Sequence, residues 1–189
     1  NNLQDAQNYY QKVLKIDPNH SQALNNIGVI FKGLGENQKA KECYEKAIEI
    51  NPNYADAYYN IGIIFKELGE SKKAKECYEK AIAINPNYLS AHYNLGNIYY
   101  NLGVGQKAKE CYEKAIELNP NYADAHYNLG NIYFNLGVYQ KAKECYEKAI
   151  EINPNYAKAY NNQGNTYKEL GENQKAIGCY EKAIEIDPN

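Results

Sequence analysis

Six prolines divide the 189-residue chain at a constant interval of 34 residues. They are Pro18, Pro52, Pro86, Pro120, Pro154 and Pro188, and no insertion interrupts the register. A fixed period of about 20–50 residues is typical of arrays in which each repeat packs on its neighbours. We therefore predict one array over residues 1–189, with a half repeat at 1–20 and full repeats at 21–54, 55–88, 89–122, 123–156 and 157–189.

Each repeat contains two stretches of helical periodicity. In the repeat that begins at Ala55, apolar residues recur at steps of three and four, first between 58 and 68 and then between 74 and 82. Gly69 separates the two stretches, and Asn85-Pro86 ends the second, because the residue before a proline is pushed out of the helical region. Strand patterns are missing, so the predicted fold class is all-α.

The small and large apolar residues of each repeat follow a recognisable pattern. In the third full repeat these residues are His92, Leu95, Gly96, Tyr99, Ala108, Tyr112, Ala115 and Pro120. The pattern and its period resemble the tetratricopeptide repeat (TPR) family. The resemblance implies a right-handed α-solenoid of stacked helix-turn-helix units, with Gly96 and Ala108 buried where the two helices cross.

The charge and hydropathy of the chain limit its partners. The net charge is −2, from 21 basic and 23 acidic residues, and every basic residue is Lys. A nucleic acid or an anionic membrane is therefore disfavoured as a partner. The apolar runs are much shorter than the roughly 20 residues of a membrane span. These features favour a protein or peptide partner, with no nucleic acid and no membrane.

The cysteines and histidines are predicted to have packing roles. The five cysteines occupy one position per repeat, at Cys43, Cys77, Cys111, Cys145 and Cys179. Helices of successive repeats lie about 10 Å apart, too far for a disulfide, so we expect reduced thiols in an intracellular, cytoplasmic compartment.

His92 and His126 lie on an apolar helical stripe. With no ligand cluster and no nucleophile–base pair, we predict no metal, no cofactor and no enzymatic activity.

One position of the first helix is asparagine in all five full repeats. We call this set the asparagine column: Asn26, Asn60, Asn94, Asn128 and Asn162. Asparagine is a mediocre helix former, so helix propensity does not explain the column. Side-chain amides both donate and accept hydrogen bonds, and at a spacing of about 10 Å one amide would serve every third residue of an extended peptide. Alternatively, these amides bridge neighbouring helices within the scaffold.

Other polar and aromatic residues are predicted to face a ligand beside the column. The two central repeats contribute Tyr93, Asn97, Tyr100 and Asn101, and then Tyr127, Asn131, Phe134 and Asn135. Where these repeats have Tyr100 and Phe134, the flanking repeats have Lys32, Lys66 and Lys168. The centre of the predicted groove is thus aromatic and uncharged, which favours a ligand with neutral or apolar side chains at its centre.

The column is similar to the one in the repeat superhelix of O-linked N-acetylglucosamine transferases, where concave asparagines bind substrate main chains. The resemblance implies a non-catalytic interaction scaffold that binds an extended peptide along the concave groove. Two alternatives remain: a substrate-recruiting arm of a larger enzyme such as a glycosyltransferase, and a consensus-like array without a specific ligand. The family's clamp for carboxylate tails is not expected, since Tyr93 and Asn162 stand where it requires Lys and Arg.

The two ends of the array are predicted to leave apolar stripes uncovered. The sequence begins without Met, so we expect Asn1 to lie inside a longer protein. Leu170, Tyr180 and Ile184 of the last repeat, and Tyr9 of the half repeat, belong to stripes that a further helix would cover. Complementary open ends predict end-to-end self-association of this chain.

Overall fold

The computed structural model describes the backbone of residues 2–188 and the side chains of residues 5–188. This part of the chain forms eleven α-helices and no strand, which confirms the all-α class. The helices are α1 (Asn2–Ile16), α2 (Ser21–Gly33), α3 (Asn37–Ile50), α4 (Ala55–Glu67), α5 (Ser71–Ile84), α6 (Leu89–Asn101), α7 (Gly105–Leu118), α8 (Ala123–Asn135), α9 (Tyr139–Ile152), α10 (Ala157–Glu169) and α11 (Asn173–Ile186). Asn1 and Asn189, the ends of the predicted array, lie outside the described residues.

Each full repeat is a first helix of 13 residues, a tight turn and a second helix of 14 residues. In the turn after α4, Gly69 has a φ of +76°, a conformation that costs glycine little because it has no Cβ. Its N–H donates to the carbonyl of Lys66 at 3.1 Å, and the N–H of Glu70 donates to the carbonyl of Phe65 at 2.8 Å. These bonds satisfy carbonyls that the end of the helix leaves without partners.

The turns between repeats are closed by asparagines. The N–H of Asn85 donates to the carbonyl of Ala81 at 2.8 Å, and its side-chain oxygen accepts the N–H of Asn87 at 3.1 Å. The same side-chain bond forms at Asn51, Asn119 and Asn153. His20, to which the sequence assigned no role, caps α2, because its Nδ1 accepts the N–H of Ala23 at 3.1 Å.

The two helices of a repeat cross at a glycine. Gly96 and Ala108 are buried, as predicted. A Cβ placed on Gly96 would lie 2.7 Å from a ring carbon of Tyr112 and 3.2 Å from the Cβ of Cys111. The aromatic ring of the second helix therefore lies directly over the glycine, and any side chain at that position would displace it.

The chain consists of two compact units, residues 1–91 and 92–189. In the first unit α3 packs against both α2 and α4. In the second unit α9 packs against both α8 and α10. Each unit thus stacks helix pairs as a solenoid does, so that a second helix is covered by the first helix of the next repeat. That all the repeats form a single array stays a prediction.

Apolar side chains are exposed on the first and last helices. Tyr9 on α1 is 63% exposed, and Ile177 and Ile184 on α11 are 48% and 63% exposed. Ala183 on α11 is 9% exposed, whereas Ala149 at the equivalent position of α9 is fully buried. Tyr9 and Ile184 are thus exposed as predicted, whereas Leu170 and Tyr180 are half-buried, and association between molecules stays a prediction.

Candidate functional site

A row of asparagine–tyrosine hydrogen bonds supports the first helices of the second unit. We call Asn97, Asn131 and Asn165 the amide slot, because they occupy equivalent positions on α6, α8 and α10. Tyrosine hydroxyls of the second helices donate to their Oδ1 atoms: Tyr112 to Asn97 at 2.7 Å, Tyr146 to Asn131 at 2.8 Å and Tyr180 to Asn165 at 2.9 Å. Burial raises the pKa of Tyr112 and Tyr146, so both hydroxyls remain protonated donors.

The asparagine column of the second unit bonds to this slot. Asn128 uses its Nδ2 to donate to the hydroxyl of Tyr93 at 3.2 Å and to Oδ1 of Asn97 at 3.1 Å. One repeat later, Asn162 donates to the hydroxyl of Tyr127 at 3.2 Å and to Oδ1 of Asn131 at 2.8 Å. The column therefore bridges neighbouring first helices, the second of the two roles that its sequence allowed.

This network fixes which atoms of each amide are used within the protein. Oδ1 of Asn131 accepts two hydrogen bonds, one for each lone pair, and neither bond uses its Nδ2 protons. Both Nδ2 protons of Asn162 are used, and its Oδ1 accepts from Nδ2 of Asn161 at 3.4 Å, which leaves one lone pair as an acceptor. Asn97 and Asn128 repeat the arrangement. Each pair thus presents a donor beside an acceptor, the two functions of a peptide main chain.

A cavity of about 310 Å³ brings these amides together with the predicted aromatic residues. Its lining consists of Tyr100, Tyr127, Asn131, Phe134, Asn135, Tyr146, Asn162 and Asn165. The hydroxyl of Tyr100 accepts a hydrogen bond from Nδ2 of Asn135 at 3.2 Å. We call this lining the first-helix cavity. Six of its residues were predicted from the sequence. Asn165 was not, although it lies 34 residues after Asn131.

The remaining predicted residues of the second unit lie outside this cavity. Asn94 is half-buried on α6, Asn101 is exposed at the end of α6, and Tyr93 is half-buried. The ring centroid of Tyr93 lies 4.8 Å from that of Tyr122. Burial raises the pKa of Tyr93, which keeps its hydroxyl neutral.

The first unit has the asparagine column but lacks the amide slot. Nδ2 of Asn60 donates to Oδ1 of the buried Asn25 at 2.9 Å, and Nδ2 of Asn25 contacts Oδ1 of Asn26 at 3.4 Å. The positions equivalent to Asn97 are Val29 and Ile63. As a result, the buried hydroxyls of Tyr44 and Tyr78 have no hydrogen-bond partner among the residues that the structure describes.

Lysines flank the predicted groove. Nζ of Lys32 pairs with a carboxylate oxygen of Glu67 at 2.6 Å. Lys66 and Lys168 are exposed, as is Lys158. The first-helix cavity itself contains no charged side chain.

The fold and the repeat pattern define the class of protein, an all-α solenoid of two-helix repeats. The tetratricopeptide repeat model matches residues 55–88, 123–156 and 157–189. Two further models of the repeat match residues 30–69 and 106–137, and residues 9–42 and 77–108. The chain belongs to the tetratricopeptide repeat family. A comparison with curated protein sequences finds no match.

Solved structures of other repeat proteins are similar over nearly the whole chain. One is YrrB, a TPR protein with an unusual peptide-binding site, with a TM-score of 0.83 and 27% identity over 95% of this chain and 93% of YrrB. Another is MamA, with a TM-score of 0.79 and 31% identity over 86% of this chain and 95% of MamA. PilF of Pseudomonas aeruginosa has a TM-score of 0.75 and 23% identity, over 98% and 78% of the two chains, and shows the fold alone. Among the described helices, none is long and apolar enough to cross a membrane.

Proposed function

We propose that the chain is a non-catalytic interaction scaffold that binds an extended peptide segment along its first helices, with the main contacts in the second unit. The observation on which this rests is the fixed polarity of the amides in the first-helix cavity. Asn131 offers N–H donors and Asn162 offers an acceptor oxygen on neighbouring helices. A peptide main chain in an extended conformation needs both.

The energetics favour a ligand that spans several repeats. Each amide–main-chain hydrogen bond contributes about 1 kcal/mol net. Two donor–acceptor pairs alone would give weak binding, so the aromatic side chains at Tyr100, Tyr127 and Phe134 are expected to supply most of the affinity. Because the amides need no reorientation on binding, the ordering cost falls mainly on the ligand.

The chemistry of the cavity supports binding in place of catalysis. Its eight lining residues are asparagine, tyrosine and phenylalanine, so none is a carboxylate, a histidine or a cysteine that could act as base or nucleophile near neutral pH. The absence of lysine from the lining favours a protein segment over a nucleic acid. The Asn26 and Asn60 positions of the first unit are proposed as further peptide contacts.

Selection from a displayed library of random linear dodecapeptides tests the proposal. We expect the chain to select peptides with neutral, partly aromatic sequences. Asn131→Asp keeps the oxygen that accepts from Tyr146 and Asn162 but replaces the outward Nδ2 donor with an acceptor. Binding of a selected peptide should weaken by at least about fivefold, the equivalent of one lost hydrogen bond.

Asn121→Asp is the matched control, because it makes the same charge change in an exposed turn of the same unit. It should leave the affinity unchanged. N-methylation of the contacting main-chain amide in the peptide should cost about as much as Asn131→Asp does. Failure to select any peptide, or selected peptides that bind Asn131→Asp as tightly as the parent, would contradict the proposed groove.

A further inference from the structure

A second cavity of about 550 Å³ opens at the edge of the second unit, beside the turn that joins α6 and α7. We call it the edge pocket. Its walls include Tyr100 at the end of α6, Gly105 at the start of α7, and Ile132 and Leu136 on and just after α8. Ile132 is buried, whereas Leu136 is 65% exposed. The pocket thus has an apolar floor and an apolar rim.

Glycine at position 105 leaves the space beside the start of α7 unfilled by any side chain. A Cβ at Gly105 would meet no atom within 4 Å, and its φ is not in the left-handed region. The equivalent positions of the other full repeats hold Asn37, Ser71, Tyr139 and Asn173. Glycine therefore provides space here and is not required by the backbone.

The next repeat shows what fits in this position. Tyr139 is the counterpart of Gly105, and Phe134 is the counterpart of Tyr100. The rings of Tyr139 and Phe134 meet edge to face, with centroids 5.4 Å apart and an interplanar angle of 61°. That separation and angle are those that aromatic pairs prefer. In the edge pocket, the Tyr100 wall is present and the second ring is missing.

We propose that the edge pocket binds an uncharged aromatic side chain of a partner protein, in the place that Tyr139 takes on Phe134. Lys109 also lines the pocket, but its ammonium group has other partners, since its Nζ lies 3.7 Å from the Glu113 carboxylate and 5.4 Å from the centroid of the Tyr133 ring. The Lys109 ammonium group therefore does not favour an acidic ligand in the edge pocket.

The edge pocket adjoins the first-helix cavity. Tyr100 and Asn135 line both, and their side chains are hydrogen-bonded at 3.2 Å. The inference rests on the proposed function in that the aromatic residue would belong to the bound segment or flank it. The corresponding cavity of the first unit, about 490 Å³, is bordered by Glu36, whereas Val104 holds the equivalent position of the second unit.

Titration of the ¹⁵N-labelled chain with p-cresol, the side chain of tyrosine, tests the site. We expect saturable shifts of the backbone amides of Gly103, Gly105 and Gln106. The saturated analogue 4-methylcyclohexanol should bind about three- to tenfold more weakly, because it lacks the edge-to-face interaction. A linear response without saturation, or equal binding of the two compounds, would overturn the proposal.

Two substitutions sharpen the test. Gly105→Tyr should fill the pocket as Tyr139 does in the next repeat and abolish the saturable response. Tyr139→Gly should open an equivalent pocket, with new shifts at Gly137 and Gln140. An unchanged response in Gly105→Tyr, or no new site in Tyr139→Gly, would contradict the inference.

Asn131→Asp separates this site from the proposed groove. Asn131 does not line the edge pocket, so the p-cresol response should persist in this variant while binding of a selected peptide weakens. If no selected peptide binds the groove but the p-cresol response persists, the edge pocket is supported independently of the proposed peptide groove. Loss of the p-cresol response in Asn131→Asp would show that the edge pocket does not bind p-cresol independently of the first-helix cavity, which would contradict the inference.

Discussion

The two units of this chain share a scaffold, and among the positions at which they differ, one on the first helix changes the hydrogen bonding of the amides. Both have tyrosine pairs between successive repeats, with the rings of Tyr59 and Tyr88 4.9 Å apart and those of Tyr127 and Tyr156 5.0 Å apart. Both have a glycine under the core tyrosine of each repeat. The second unit has asparagine in the amide slot, where the first unit has Val29 and Ile63.

That difference decides what the asparagine column can do. In the second unit, a tyrosine hydroxyl and a column amide both donate to the slot oxygen, which orients the two amides of each pair. In the first unit the hydroxyls of Tyr44 and Tyr78 are buried without partners. A residue one helical turn away from the column therefore determines the partner of the column amides: the slot oxygen in the second unit and, for Asn60, Oδ1 of Asn25 in the first.

The largest expected effect concerns what the units share. Gly96→Leu in the second unit and Gly62→Leu in the first should each lower the free energy of unfolding by about 1–3 kcal/mol, because the new Cβ would lie 2.7 Å from the tyrosine ring above it. Urea denaturation measures this. Gly105→Leu is the control and should cause no loss, since its Cβ meets only open space. If Gly96→Leu is as stable as the parent, Gly96 does not lie at the close crossing of α6 and α7.

The next largest effect is the loss of a core tyrosine hydroxyl, which should change stability differently in the two units. Tyr112→Phe should lower the free energy of unfolding by about 1 kcal/mol, because it removes a hydroxyl that donates to Asn97 at 2.7 Å. Tyr78→Phe should leave stability unchanged or raise it, because it removes a buried hydroxyl without a partner. Equal losses in the two variants, measured by urea denaturation, would show that the units do not differ in this way.

Ile63→Asn should create in the first unit the amide slot that the second unit has. The new amide would offer an acceptor to the hydroxyl of Tyr78. We expect Tyr78→Phe to become destabilising in the Ile63→Asn background, with a coupling of about 1 kcal/mol in the double-mutant cycle. The four urea transitions give the coupling directly. A coupling of zero would mean that the slot and the tyrosine do not interact in the first unit.

The smallest effect concerns cysteine reactivity. Burial raises the pKa of Cys77 in the first unit to about 11 and that of Cys145 in the second to about 12. Fewer thiolates form at pH 8, although each is more nucleophilic, so Cys77 should react with iodoacetamide roughly tenfold more slowly than in the unfolded chain. Cys145 should react about threefold more slowly than Cys77.

Variants that retain one cysteine make this comparison possible, because Cys77 and Cys145 lie in the same local sequence, Lys-Glu-Cys-Tyr-Glu-Lys. The raised pKa values also predict stability that is present below about pH 9 and is lost as the pH rises toward 11 to 12. Reaction of both folded thiols at the rate of the unfolded chain would contradict the burial assigned to them.

Much of the fold could be predicted from the sequence, since the proline interval, the apolar periodicity and the Gly69 and Asn85 positions determine helices and turns locally. The site was harder to predict. The sequence singled out the column and the slot residues Asn97 and Asn131, but not the hydroxyls of Tyr112 and Tyr146 that orient them. That pairing depends on which tyrosine atom reaches across two helices, and periodicity contains no such information.

The edge pocket illustrates the same limit. Gly105 is one glycine among thirteen, and its sequence neighbours do not distinguish it from the glycines that close turns. Only the packing of Tyr139 on Phe134 one repeat later shows that residue 105 is a position where a ring can sit.

Hydrogen exchange of the asparagine side-chain amides, followed by NMR in the free chain and with a selected peptide, measures whether the slot fixes the polarity of the groove. In the free chain, the Nδ2 protons of Asn128 and Asn162 should exchange slowly and those of Asn97 and Asn131 quickly, and the peptide should protect the latter two. Equal exchange at all four residues in the free chain, or no added protection with peptide, would contradict this role of the slot.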